Sequence, residues 1–449
     1  MAFVYLLPRG GPVAPNELRL SELLCPYRGA LTRHDLAGGT LWLSSMGRAT
    51  ATGVELPAGT TRPPNSAWLD VRAAGDSVRF ETDPLGTFPL WIAVTADWLA
   101  VTGEVKALGA LPGFTVDFVP EQWPADRKRP PDYAPYGNVR RVVPGAILHV
   151  ARDGTWRAEG GVPLQYAPTE PLTDAAAQAD ALDEALARSA RVMASAGGDW
   201  AAFLSGGIDS SSATALLARH APGLPTYTLG TEHGDEYADA AALATHLGLP
   251  HTRVFATTAQ ARAHFDRAVV ENETVDGLTG ETLAQLAILA EAAAAGGARR
   301  VVTGYGADLL FGSMLRHELY MKVTGVDDLQ SLIERTMWSG EFAPFYAWSL
   351  GVEVHHLFWD PAVMNAAFRI PPEHSFDGTH EKVVLRRMMV DRGYLRAEHA
   401  FRKKQALTDG TQFNRVLSDA LGLPDKHAYG GKNAAAVRVL RRALADFHV

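Results

Sequence analysis

The stretch Leu204-Ser205-Gly206-Gly207-Ile208-Asp209-Ser210-Ser211 constrains this chain more than any other. The apolar run Trp200-Ala201-Ala202-Phe203-Leu204 reads as a buried parallel strand, breaks into Ser-Gly-Gly, and resumes as a helix through Ser211–Leu217. Two glycines let the backbone turn sharply and approach a ligand closely. Free amides at the start of the following helix, at its positive dipole end, suit a phosphate group. Asp209 at the mouth of that turn is a natural Mg²⁺ ligand, because that ion is usually held by one or two carboxylates plus phosphate oxygens. An ordinary strand-turn-helix connection explains a bare Gly-Gly. The longer string Ser205–Ser210 is more specific and predicts a nucleotide pyrophosphate site built by Leu204, Ser205, Gly206, Gly207, Asp209 and Ser210.

The rest of the chain places that loop in a repeating pattern. Strand-like Thr226–Gly230 and His251–Phe255 alternate with helical Glu236–Leu247, Ala259–Val270 and Thr282–Ala295, and Arg300–Thr303 is a further apolar strand. Such alternation predicts a parallel sheet covered by helices, with ligands at the carboxyl ends of strands, where Ser205 and Gly304 fall. Residues 314 onward read as mainly helical. Upstream, Thr40–Leu43, Ser77–Glu81, Leu90–Val94, Trp98–Thr102 and Ala146–Ala151 are short β-like runs separated by Gly and Pro, Asp117–Tyr136 reads as a loop, and Pro163–Pro171 as a linker. Asp174 is placed to cap a helix over Thr173–Ala194. The expected architecture is a β-rich domain over residues 1–165 and an α/β domain with a parallel sheet and a helical C-terminal part over 173–449.

With 449 residues, 47% hydrophobic and 20% charged, the composition is that of a soluble globular protein of two or three domains. A net charge of −8 argues against an extended nucleic-acid or polybasic membrane surface. The single cysteine, Cys25, excludes an intrachain disulfide and fits a reducing cytoplasm. The amino terminus lacks a basic start followed by a sustained apolar core, and no run approaches a membrane span. A cytoplasmic enzyme acting on a small molecule is expected, with a homo-oligomeric state left open.

A second motif, Thr303-Gly304-Tyr305-Gly306-Ala307-Asp308-Leu309-Leu310-Phe311-Gly312, again follows an apolar strand with a glycine turn and an acid. Taken alone, Asp308 is as well read as a helix cap. With Asp209 at the neighbouring strand end, the two acids suit Mg²⁺ on a triphosphate, so ATP and Mg²⁺ are the expected cofactors.

Here the chain resembles a family. Ser205–Ser210 is the pyrophosphate-loop signature of the asparagine-synthetase-like amide ligases, and Tyr227-Thr228-Leu229-Gly230-Thr231-Glu232 is similar to their adenosine-side strand, which implies a nucleotide contact at Leu229. Gly304-Tyr305-Gly306-Ala307-Asp308, with Val275-Asp276-Gly277-Leu278, resembles the β-lactam-forming branch, the carbapenam synthetases and clavam-pathway β-lactam synthetases, where asparagine synthetases have Glu in place of Tyr305. The resemblance spans about residues 195–415. It implies a catalytic dyad of Tyr305 and Glu341, a pyrophosphate-binding Lys382 in Lys382-Val383-Val384-Leu385-Arg386, and an essential Lys404 in Arg402-Lys403-Lys404-Gln405, with Lys403 as the rival by one position. An ammonium there would stabilise a developing oxyanion. Without the resemblance, the two lysines read as a solvated basic face, Glu341 as a helix-end carboxylate and Tyr305 as a packed aromatic.

Glu81–Leu90 and Gly103-Glu104-Val105-Lys106-Ala107-Leu108 resemble the glutaminase (Ntn-type, α+β) domain of asparagine synthetases, whose nucleophile is an amino-terminal cysteine. Position 2 is Ala, and Cys25 is internal and reads as a small buried hydrophobe. The expected domain is therefore a degenerate glutaminase-like fold that releases no ammonia. The implied reaction is ATP-dependent closure of a β-lactam ring on a β-amino acid through an acyl-adenylate, carboxymethylproline to a carbapenam. A clavam-type enzyme acting on an N-carboxyethyl amino acid and a peptide-cyclising amide ligase are the alternatives.

Overall fold

The computed structural model describes residues 3–24, 31–43, 48–50, 53–56, 67–83, 85–120, 129–161, 170–311, 337–402 and 410–447. Its second part is organised by the strand that feeds the glycine turn. Trp200–Phe203 is buried along its whole length, as expected of a central parallel strand. It pairs in parallel with Thr226–Thr231 on one side and Arg300–Thr303 on the other. His251–Ala256 and Glu353–His356 complete the sheet outward from these, again in parallel. In chain order the five parallel strands lie third, second, first, fourth, fifth, and the two-residue Gly234–Asp235 pairs antiparallel with Thr226–Thr231. The order reverses between the first and fourth, the place where such sheets leave a crevice at the carboxyl ends.

The expected helices form around this sheet. Asp174 caps the helix Ala175–Ser195, accepting the Ala177 amide at 2.8 Å. Ile208–Ala218 follows the glycine turn and is buried on nearly every side, through Ile208, Ser211, Ser212, Ala213, Thr214, Ala215, Leu216 and Leu217. The helix read from Thr282 starts earlier, at Gly277, because the Asp276 carboxylate accepts the Leu278 and Thr279 amides. The described residues after 314 are mainly helical, as expected, but they also contribute an unexpected fifth strand, Glu353–His356. It carries no apolar run to announce it. Two of its polar residues are partnered across the sheet instead: the Glu353 carboxylate takes a 2.9 Å hydrogen bond from Arg300 Nε, and His356 shares one with Thr303.

The amino-terminal residues form two six-stranded antiparallel sheets. Phe3–Pro8, buried over most of its length, lies inside the first, between Trp98–Thr102 and Gly39–Leu43. In the second, Ser77–Thr82 alternates half-buried and buried residues, so Val78 and Phe80 face inward. The two sheets pack face to face where Phe3 stacks on Phe80 at 6.0 Å between ring centroids.

This β-rich part is joined to the parallel-sheet part by polar contacts as well as apolar ones. The buried Arg141 guanidinium donates to the carbonyls of Met337 at 2.7 Å and Trp338 at 2.9 Å. Glu273, at φ 51, accepts the backbone amides of Val105 and Lys106. The Lys106 ammonium is paired with Glu104, both fully buried. Such a buried cluster needs every member partnered. Phe88 meets Phe345 edge to face at 5.6 Å beside it.

Candidate active site

The strand-to-helix turn closes on itself through two serines. Ser210 Oγ accepts the Ser205 amide at 3.0 Å and donates to the Gly207 carbonyl at 3.2 Å, while Ser205 Oγ accepts the Gly207 amide at 3.3 Å. These bonds hold the turn open above the first residues of Ile208–Ala218, where helix amides and dipole favour an anion. Gly206 is at φ 75, and a Cβ there would collide with Arg402 and Asp239. Arg402 ties the outside of the turn, pairing with Asp239 and donating to the Ser205 carbonyl at 3.4 Å.

The second motif arrives from the adjoining strand. A Cβ on Gly304 would overlap the backbone of Asp209 and Ser210, so only glycine lets the two strand-end loops lie against each other. That close approach brings the acids together. Lys382 Nζ lies 2.6 Å from Asp308 Oδ1 and hydrogen-bonds Asp209 Oδ2, so one ammonium bridges both carboxylates. Lys382 is fully buried and sits at φ 58 at the head of the helix Val383–Asp391. One turn on, Arg386 is buried too and donates to the carbonyls of Glu381 at 2.7 Å and Arg402 at 3.2 Å.

A cavity of ≈ 270 Å³ opens over these elements. Its walls include Leu204, Ser205, Gly207, Asp209, Ser210, Leu229, Gly304, Tyr305 and Asp308. Leu286 is shared with a second, smaller cavity lined by Glu341, Phe342, His356 and Trp359. The Tyr305 ring packs edge to face on Phe342 at 5.0 Å, which sets the Glu341 segment beside the tyrosine turn. Glu341 itself is half-buried.

Sequence reading overlooked the residues that support Tyr305. Thr303 Oγ1 accepts the Tyr305 amide at 3.2 Å and shares a 2.6 Å hydrogen bond with His356 Nδ1. The His356 ring lies 5.4 Å from that of Tyr305. Burial, with the neighbouring His355 adding to it, brings the His356 imidazole down to about 3, so it is neutral at ordinary pH. No spacing rule points to a histidine so far along the chain, and its role emerges only from strand register, Thr303 facing His356.

Of the residues singled out from sequence, twelve positions are described here and gather around the two cavities, except that Gly206 and Lys382 reach the site through the contacts above. Lys404 and its rival Lys403 lie outside the described residues, as do Ala2 and Cys25. Among the described residues no group of three or more His, Cys, Asp or Glu side chains is placed to hold a metal ion alone. Lys382 shows that Asp209 and Asp308 can share one cation, leaving the rest of an ion's shell to other oxygens.

A parallel sheet of this order, with a glycine turn and helix start at its switch point, defines an α/β protein built for a phosphate-bearing ligand. Comparison with known proteins narrows the class. The asparagine synthase family model matches residues 181–343 and 346–434, more than half of the chain. The chain belongs to the asparagine synthase family, whose members related to it are ATP-dependent ligases that form C–N bonds. It is 30% identical over 368 residues to carboxyethyl-arginine beta-lactam-synthase of Streptomyces clavuligerus, covering 79% of this chain and 67% of that protein. It is 26% identical to a glutamine-hydrolysing asparagine synthetase of Asparagus officinalis, covering 61% of this chain and 49% of that one. Asparagine synthetase B of Escherichia coli is 25% identical, with 48% and 42% covered. The chain thus spans about half or less of the asparagine synthetases it matches. Among the described residues no helix is long and apolar enough to cross a membrane.

Proposed function

We propose that this protein closes a β-lactam ring in an ATP- and Mg²⁺-dependent reaction, with residues 1–165 forming a glutaminase-like domain and 173–449 the adenylating domain. The observation that carries the reading is the placement of Tyr305. It lines the cavity of the glycine turn and packs on the Phe342 that follows Glu341. Asparagine synthetases have glutamate in place of this tyrosine, and the 30%-identical relative is a β-lactam synthase.

The glycine turn and the start of the helix Ile208–Ala218 hold the triphosphate, with Lys382 beside its leaving end. A substrate carboxylate oxygen attacks the α-phosphorus, the bond to the β-phosphate oxygen breaks, and pyrophosphate leaves. The substrate amine nitrogen then attacks the acyl carbon, its proton passes to the Tyr305 phenolate, and the acyl–oxygen bond breaks to release AMP. A free tyrosine titrates near 10. Glu341 orients and tunes Tyr305, and Lys404 stabilises the oxyanion. A bound divalent ion would neutralise charge on the phosphate oxygens, with Asp209 and Asp308 as its protein ligands. Holding amine and adenylate in one pocket supplies the proximity that a strained four-membered ring demands.

Carboxymethylproline, giving a carbapenam, is the first substrate to test. The likeness to carboxyethyl-arginine beta-lactam-synthase favours an N-carboxyethyl amino acid as the second. Incubation of each with ATP and Mg²⁺, read by AMP release and product mass, separates them. A product lighter than either substrate by one water supports the reading, and AMP release without ring closure overturns it.

A further inference from the structure

Lys382 occupies an unusual position for a lysine. Its side chain is fully buried, and its backbone sits at φ 58, a region that non-glycine residues adopt only at a cost. That strained backbone aims the ammonium between Asp209 and Asp308, which are 24% and 37% exposed. A buried ammonium without counter-charges would be expensive, so the two carboxylates stabilise it, and it neutralises one of their two charges. The Arg386 guanidinium, one turn along the same helix, is held by backbone carbonyls and also feels the field of both aspartates.

Lys382 touches both aspartates directly, whereas Arg386 shares its field among Asp209, Asp308, Glu381 and Asp377. A bare divalent ion entering there would meet a pair already partly neutralised and would have to displace the ammonium from both carboxylates. A metal–triphosphate arrives with its own negative charge. Its oxygens can take over the ammonium while the carboxylates turn to the metal.

We propose that Lys382 guards the Asp209–Asp308 pair against a bare divalent ion, so that metal enters this site only together with the triphosphate. The proposal rests on the reading of those two carboxylates as metal ligands. It adds an order of assembly: nucleotide and metal bind as a unit, and the lysine exchanges its carboxylate partners for phosphate oxygens.

Mn²⁺ is the probe, its free concentration read by electron paramagnetic resonance with the full chain. Wild type should bind Mn²⁺ in the presence of a non-hydrolysable ATP analogue and at least about tenfold more weakly without nucleotide, since one unit charge at contact distance outweighs that factor. Lys382→Met should bind Mn²⁺ alone at least about tenfold more tightly than wild type. Lys382→Arg, which keeps the charge, should bind nucleotide-free Mn²⁺ no more tightly than wild type. Lys382→Gln serves in place of Lys382→Met if circular dichroism shows that the apolar variant does not fold. Equal nucleotide-free affinity in wild type and the neutral variants overturns the proposal while leaving the metal reading intact. If the Asp209→Asn/Asp308→Asn pair leaves wild-type binding of Mn²⁺ with nucleotide unchanged, the metal reading fails, and the proposal with it.

Discussion

Thr303 and His356 face each other across the last two strands of the parallel sheet and share a 2.6 Å hydrogen bond between hydroxyl and imidazole. The same hydroxyl accepts the Tyr305 amide, so the bond fixes the turn on which the tyrosine stands. Because burial brings His356 down to about 3, the folded protein holds fewer protons here than the unfolded chain between that value and the ordinary histidine value near 6.5. This contribution to stability is present above about pH 6.5 and is lost as pH falls toward 3. His356→Gln should flatten the acid-side fall of the melting temperature relative to wild type. It should also lower stability at neutral pH by about 1–3 kcal/mol, by disturbing the buried partner. Thermal unfolding from pH 4 to 8 checks both; parallel curves for the two proteins would refute the assignment.

Glu273 makes the opposite prediction. Burial, opposed by Lys106 and reinforced by Glu104, pushes its carboxyl up to about 7. The folded state therefore binds the extra proton between the ordinary glutamate value near 4.3 and 7, and stability from this group falls as pH rises through that window. Glu273→Gln should remove that decline. Comparing urea midpoints of the two proteins at pH 5 and 7.5 isolates it, because their difference should change with pH in favour of the variant at the higher value.

Gly304→Ala places a methyl group against the backbone of Asp209 and Ser210. Overpacking of this kind costs about 1–3 kcal/mol, and here it also pushes the two strand-end loops apart. The variant should melt earlier and bind a non-hydrolysable ATP analogue at least about tenfold more weakly. Calorimetry of both properties is the check, and unchanged nucleotide affinity would show that the close approach does not shape the site.

The parallel sheet and its switch point were legible because Trp200–Leu204 and Arg300–Thr303 are apolar runs that end in glycine. Asp174 was legible as a cap because helix starts have a local signature. Glu353–His356 was not, since its stability comes from Arg300 and Thr303 on a strand far away in sequence, and polar residues satisfied by distant partners leave no local pattern. The same holds for the site. Asp209 and Asp308 announce themselves beside glycine turns, whereas the bridging geometry of Lys382 depends on a backbone conformation that no spacing rule encodes.

The central claim is that Tyr305 serves ring closure and leaves adenylation alone. The most direct test compares wild type and Tyr305→Phe in two assays on the same substrate, whichever of carboxymethylproline and the N-carboxyethyl amino acid wild type turns over. One assay is ATP–pyrophosphate exchange; the other is mass spectrometry of the lactam. Loss of the lactam by at least about 10²-fold, with exchange largely retained, is the predicted result. Full lactam formation by Tyr305→Phe, or asparagine made by wild type from aspartate, ATP and ammonia, would contradict it.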